Sequence, residues 1–336
     1  MMKKEIKLKL EELKGIPRGV FLIIFFVVLA VLLLLFGFYI LSGDGSGEEK
    51  ESSEEDKEEQ RSVLEKEEEV PSVQLEASGA YSLYYDKENE TVLYEKRPEE
   101  SFPIASISKL MTALVVRENY DLDEEVGVRE SEIISRTEFR DFRAWSETSI
   151  EEMLYQMLIE SNNSGAFALG FISRRYLDKD KEDPIDLFVK KMNKKAEELD
   201  LESTEFINPS GLDGKERYNR STPKEVAELA KYILEDHNEL FEISVIPSYR
   251  MQSPDGMIHY PVLNTNDFLH ERDEEWKEDI VGGKTGWTRA AYGCLVIVLE
   301  APNEEGYIIN VVLGAPDRFE EMEKLVEYVQ NKYQFQ

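Results

Sequence analysis

A serine and a lysine three positions apart, in Ser106-Ile107-Ser108-Lys109, are the first residues along this chain that could do covalent chemistry together. If Ser106 opens a helix, Lys109 lies one turn later on the same face, and its amine can reach the hydroxyl. A serine hydroxyl is a poor nucleophile until a base takes its proton. A lysine serves as that base only when burial or a neighbouring charge lowers its pKa. Leu110, Met111, Leu114 and Val115 are the residues that bury such a helix. Alone, Ser106 reads as a helix N-cap. A second Ser-x-x-Lys at 221–224 shows how weak the pair is by itself, because Thr222-Pro223 there is an ordinary helix start.

Order separates the two. Only Ser106 is followed by a Ser-x-Asn, Ser161-Asn162-Asn163, and then by Lys284-Thr285-Gly286 after Gly282-Gly283. This ordered triple is the motif set of class A β-lactamases and penicillin-binding proteins. Ser161-Asn162-Asn163 falls between a periodic helix and the apolar run 166–172, so it occupies a connecting turn, where polar residues are common in any protein. Lys284-Thr285-Gly286 leads into Trp287-Thr288 and is expected on a strand edging a cleft. Gly286 there leaves room for a peptide backbone, Lys284 supplies positive charge and Thr285 a hydroxyl donor.

The elements that must hold these groups come from both ends of the chain. Residues 80–85 and 91–96 form one β-hairpin around 86–90, and residues 291–299 and 307–313 form another around 302–306. The middle is helical: Ile150, Met153, Leu154, Met157 and Leu158 follow helical spacing, with Thr148 and Glu151 placed as a capping box. Asp183-Pro184 and Thr222-Pro223 each start an amphipathic helix, to about 199 and about 234, and Asp317 caps a last helix to about 333. The expected fold is α+β: an antiparallel sheet flanked by helices, with a helical insertion subdomain, preceded by one transmembrane helix.

That membrane helix is residues 20–41, apolar apart from Gly37 and Tyr39 and about 33 Å long as a helix. Residues 1–19 hold six bases and three acids and are expected in the cytoplasm, which puts the rest of the chain outside. The apolar run is too long for a signal peptide and no Ala-x-Ala follows it, so the anchor is expected to stay. Residues 42–76 read as an acidic disordered linker; within 44–76 lie fourteen acids and four bases. The net charge of −30 repels phosphates and argues against a nucleic-acid partner. The single cysteine, Cys294, sits in an apolar run and reads as a core residue, so no intrachain disulfide forms. His237, His259 and His270 show no metal-ligand spacing, so no metal and no other cofactor is expected.

Over about 77–333 the chain is similar to the serine-type D-alanyl-D-alanine carboxypeptidases, the low-molecular-mass penicillin-binding proteins. Besides the three motifs, the resemblance is carried by Pro103-Ile104-Ala105, Met111-Thr112-Ala113, the segment 206–213 with Asn208-Pro209-Ser210-Gly211, Asn264-Thr265-Asn266, and 311–315 before Arg318-Phe319. It implies that residues 77–336 are a catalytic domain of β-lactamase/penicillin-binding-protein-like fold, acting on peptidoglycan stem peptides that end in D-Ala-D-Ala and inhibited by β-lactams. Ser106 would be the nucleophile, Lys109 the base and Ser161 a proton relay to the leaving amine. Asn163, Lys284, Thr285, Gly286, Trp287 and Arg318 would bind substrate. Ser106 and Trp287 would give the oxyanion N–H groups, and Arg318 would meet the terminal carboxylate.

Val281 and Ser164-Gly165 depart from the family's commoner residues, and the N-terminal anchor is expected to replace the C-terminal membrane helix of many relatives. The rival readings are a D,D-endopeptidase, a β-lactamase, or a non-catalytic wall-binding relative. Against the β-lactamase, no Glu-x-x-Leu-Asn lies between Ser161 and Lys284, and Glu197 and Glu198 read as part of an ordinary helix.

Overall fold

Strands rich in Val, Ile, Leu and Tyr come from the two ends of the folded region and meet in one antiparallel sheet. They are β1 (Gly79–Tyr85), β2 (Glu90–Lys96), β3 (Ile280–Thr288), β4 (Tyr292–Glu300) and β5 (Tyr307–Ala315), in the spatial order β3-β4-β5-β1-β2. The computed structural model describes residues 63–66, 70–87, 89–128, 145–176, 183–252, 258–270, 272 and 274–336. All of these fall in the unit Gln60–Gln336. The expected membrane span and its basic N-terminal flank lie outside the described residues. Among the described residues no helix is long and apolar enough to cross a membrane.

Continuous apolar runs such as 294–299 need cover on both faces of the sheet. One face, through Tyr81, Leu83, Val296, Val298 and Val311, packs against the helices of the insertion. The other, through Tyr84, Leu295, Ile297 and Val312, packs against the C-terminal helix. Ser82 Oγ donates to Asn310 Oδ1 at 2.7 Å inside the sheet, joining β1 to β5 across 228 positions of sequence. Cys294 is a fully buried core residue, its thiol pushed up to about 12 by burial.

The helices are α1 (Ser108–Asn119), α2 (Ile150–Ile159), α3 (Asn163–Phe171), α4 (Pro184–Glu198), α5 (Pro223–Asp236), α6 (Glu239–Ser244) and α7 (Arg318–Lys332). The caps expected at Asp183, Thr222 and Asp317 form, each side chain accepting from a backbone N–H of its first turn. At α2 the cap moves one residue on. Ser149, not Thr148, is extended before the helix and accepts from Glu152 N at 3.1 Å.

Order also begins earlier than the expected boundary at 77. Val63–Glu65 pairs antiparallel with Tyr333–Phe335, and Ala77 N donates to Glu321 Oε2 at 2.9 Å. Val63 and Leu75 bury in the cluster under α7, which gives this part of the acidic run the apolar anchorage that its composition hides.

Candidate active site

Ser106 sits in a single 3-10 turn, Ala105–Ile107, that runs directly into α1. Two non-glycine residues at this site hold left-handed backbone, Ala105 at φ 47° and Ser161 at φ 58°. Such conformations cost roughly 1–3 kcal/mol each and persist where the surroundings over-determine them. For Ala105 the surroundings are the loop 208–212. Gly211 has φ +85°, and a Cβ there would stand 1.9 Å from Ala105 O. Only glycine lets this loop lie against the turn that carries Ser106. Asn208 fixes the loop: its Oδ1 accepts from Ser210 N, Ser210 Oγ and Gly211 N at 3.0, 3.0 and 2.8 Å, and its Nδ2 donates to Leu212 O at 2.8 Å.

Lys109, fully buried one turn after Ser106, brings three elements together. Its Nζ lies 2.9 Å from Ser106 Oγ, 2.8 Å from Asn163 Oδ1 at the start of α3, and 2.6 Å from the Ser210 carbonyl. Burial, and next the nearby charge of Lys284, hold its pKa well below the ordinary lysine value. A neutral amine has two protons and one lone pair. With the two protons given to Asn163 Oδ1 and the Ser210 carbonyl, neither of which can donate, the lone pair is left for the Ser106 hydroxyl. Such an arrangement can serve as a hydroxyl nucleophile hydrogen-bonded to a base that two further groups orient.

Strand β3 is the edge of the sheet beside this turn. A Cβ on Gly286 would come within 3.0 Å of Ser106 N and 3.2 Å of Ala105 Cβ, so the glycine allows the strand to lie against Ser106. Thr285 Oγ1 shares a short hydrogen bond with Thr265 Oγ1, and Thr265 N donates to Ile159 O at 3.1 Å. Thr265 and the Asn264-Thr265-Asn266 turn thereby tie β3 to the end of α2. Lys284, nearly inaccessible, has its pKa brought down to about 7 by burial and then by the Arg318 charge. Arg318, the first residue of α7, stacks over Phe319 at 4.6 Å and keeps a buried Nε without a partner among the described residues. Trp287, 61% exposed, stands at the mouth.

The structure therefore joins Ser106, Lys109 and Asn163 directly and sets Lys284, Thr285 and Gly286 along the adjoining strand. Ser161 lies in the expected turn, yet its Oγ makes no hydrogen bond among the described residues. Sequence reasoning passed over Asn208, Ser210, Gly211 and Thr265 as site residues. The Asn-Pro-Ser-Gly run was a signal of a tight polar turn, but not of what that turn packs against. Glu198, weighed for a β-lactamase, pairs with Lys194 at 3.3 Å and Lys195 at 3.6 Å at the C-terminal end of α4.

A pH dependence of stability follows from Lys284. Its pKa is about 7 folded and 10.5 ordinarily. Between those values the unfolded chain binds the extra proton, so stability rises with pH through that window, and below about pH 7 the buried charge costs stability. Lys284→Met is expected to raise the Tm most at about pH 6, the gain shrinking by about pH 10. Thermal unfolding at the two pH values checks this, and a constant gap would mean that Lys284 keeps its ordinary pKa.

Comparisons with known proteins show the family of the chain. Residues 65–317 match the family model of the D-alanyl-D-alanine carboxypeptidases, Peptidase S11. A D-alanyl-D-alanine carboxypeptidase of Bacillus subtilis is 26% identical over 281 residues, covering 81% of this chain and 67% of the relative. A D-alanyl-D-alanine endopeptidase of Escherichia coli is 30% identical over 226 residues, covering 67% of this chain and 68% of the relative. Penicillin-binding protein D2 of Listeria monocytogenes, solved with cefotaxime bound, superposes with a TM-score of 0.60 at 29% identity, over 78% of this chain and all of that one. With a family match running through all three motifs and a fold shared with a penicillin-binding protein, the chain belongs to the serine D-alanyl-D-alanine carboxypeptidase family and is a hydrolase of that family.

Proposed function

We propose that the chain removes the terminal D-alanine from peptidoglycan stem peptides through an acyl-enzyme on Ser106, working outside the cytoplasm on a single N-terminal membrane anchor. The observation that carries the chemistry is the Lys109 amine 2.9 Å from Ser106 Oγ, buried and turned toward it by Asn163 and Ser210. The apolar run 20–41 behind a basic N-terminus supports the anchor and its orientation.

Ser106 Oγ attacks the carbonyl carbon between the two D-alanines while Lys109 Nζ takes its proton. The developing oxyanion meets the N–H groups of Ser106 and Trp287, each such donor being worth about 3 kcal/mol. The proton passes to the leaving amine, with Ser161 as relay, the C–N bond breaks, and D-alanine departs. Water then attacks the ester with Lys109 again as base, releasing the shortened peptide and Ser106. Asn163 and strand β3 hold the peptide backbone, while Lys284, Thr285 and Arg318 face the terminal carboxylate. β-Lactams acylate the same serine.

The test is D-alanine release from a diacyl-L-Lys-D-Ala-D-Ala peptide by the full chain in detergent. Release that vanishes in Ser106→Ala is the expected result, and no release from a folded sample would sink the reading. The 30% identity to an endopeptidase favours one alternative, cleavage of D-Ala cross-links, so a cross-linked muropeptide dimer belongs in the same assay. Arg318→Ala is expected to cut kcat/KM on the peptide at least about tenfold, since a hydrogen bond to a charged group is worth about 1.5–3 kcal/mol. Penicillin acylation is expected to suffer less, and equal small effects on both would remove Arg318 from the site.

A further inference from the structure

Two arginines lie over one ring at the start of α7, and only one of them has a carboxylate. Arg272 Cζ is 5.2 Å from the centre of the Phe319 ring and 5.7 Å from that of Phe268, and its Nη1 pairs with Glu323 Oε1 of α7. Arg318 Cζ is 4.6 Å from the centre of Phe319, and among the described residues it pairs with no acid and keeps its buried Nε bare. The neighbouring acids are already engaged. Asp317 Oδ1 accepts from Phe319 N at 2.9 Å and Glu320 N at 3.2 Å, and Glu321 is held by Lys324 Nζ at 2.7 Å and Ala77 N at 2.9 Å. The position is also a poor one for stability, since a helix N-terminus favours anions and Arg318 is the first residue of α7. Consecutive helix residues project about 100° apart, so Arg318 has to fold back to lie over its neighbour's ring.

We propose that Phe319 is the positioning residue for Arg318: its ring holds the guanidinium in one plane, so that the in-plane N–H groups are kept for the terminal carboxylate of the substrate. The inference rests on the reading of Arg318 as the group that meets that carboxylate. The ring itself is fixed, because Phe319 is buried, Phe268 meets it edge-on at 5.3 Å and 83°, and Trp276 backs Phe268 at 4.7 Å. The backbone of Arg318 is set separately by β4. A Cβ on Gly293 would come within 3.0 Å of Arg318 Cβ and 3.2 Å of its N, which places Arg318 against the residue paired with Trp287. Stacking uses the face of a guanidinium and leaves its edge, the part that can grip a carboxylate with two hydrogen bonds. Without the ring the side chain gains rotamers, among them those that turn toward Asp267 and Asp317, and the substrate must pay for ordering it.

The experiment is a double-mutant cycle on D-alanine release from a diacyl-L-Lys-D-Ala-D-Ala peptide by the full chain in detergent. Its four proteins are the parent, Phe319→Leu, Arg318→Ala and the two changes combined. Phe319→Leu is expected to lower kcat/KM about threefold to fivefold, the range of a cation–ring contact. The loss should fall on KM, because the carboxylate is held alike in the ground and transition states. In the Arg318→Ala background the same change should add nothing, and Phe319→Tyr, which keeps the ring face, should retain the parent's KM. Phe319→Met replaces Phe319→Leu should the latter not fold. No loss in Phe319→Leu, an equal loss in both backgrounds, or a loss confined to kcat would overturn the proposal and leave Arg318 in the site. An unchanged KM in Arg318→Ala would instead remove Arg318 from the site, and Phe319 with it, while leaving the reaction at Ser106 standing.

Discussion

Lys109→Ala is expected to slow penicillin acylation of Ser106 about a thousandfold or more, the range in which a general base contributes when it works as a unit with its nucleophile. The fold should survive. The variant removes the donor to the Ser210 carbonyl and to Asn163 Oδ1, which costs about 1–3 kcal/mol for each acceptor left dry. Against this, it removes a buried amine whose pKa burial has pulled down, and such a group destabilises the folded state at pH values below its ordinary pKa. Intact-mass kinetics of adduct formation give the rate, and near-UV circular dichroism the fold. Lys109→Arg separates two roles that Lys109→Ala merges. A guanidinium keeps the charge but does not give up its proton in a protein, so an equally dead variant identifies the lysine as base, whereas normal labelling by either variant would refute it.

Gly211→Ala should be damaging for a reason of backbone rather than chemistry. The added Cβ would lie 1.9 Å from Ala105 O and 2.3 Å from its carbonyl carbon, atoms of the turn that presents Ser106, and φ is +85° besides. Neither partner is a flexible side chain, so the loop and the nucleophile turn must part. A cost of about 3 kcal/mol is reasonable for strain and clash together, which at about 2–4 °C per kcal/mol lowers the Tm by about 6–12 °C. Moving Ser106 or the Ser210 carbonyl by an ångström would slow acylation by about a hundredfold. Gly165→Ala is the control. Gly165 sits in α3, where an added methyl would come no closer than 3.6 Å to any neighbour, so that variant should keep full activity and a Tm equal to or slightly above the parent's. Comparable losses in both variants would remove the special role of Gly211.

What the sequence made legible was whatever depends on neighbours in the chain. The three-residue spacing of Ser106 and Lys109 became a shared helical face, and Asp183, Thr222 and Asp317 became caps, because each needs only a turn of local backbone. The two hairpins and the strand under Lys284-Thr285-Gly286 were readable for the same reason. The unread part is tertiary. Nothing in Asn208-Pro209-Ser210-Gly211 says that its carbonyl will orient a lysine 101 positions earlier. Nor does Thr265 announce Thr285. Ser161 falls in the connecting turn that its spacing placed before α3, but nothing local says that this left-handed turn delivers Asn163 to the Lys109 amine. The pairing of Val63–Glu65 with Tyr333–Phe335 was hidden by the charge around it.

The bond between Ser82 and Asn310 has a consequence for how this protein is made. Because β1 finds its partner β5 only about 228 positions later, the first hairpin waits through the synthesis of everything between with one edge unpaired. Closing so long a loop is entropically slow, and a late-closing sheet is open to wrong pairing meanwhile. Ser106 itself rests against β3, which reaches β1 only through β4 and β5, so its surroundings are complete only once those strands have been made. A chain stopped short of Tyr307 would carry all three motifs and no enzyme.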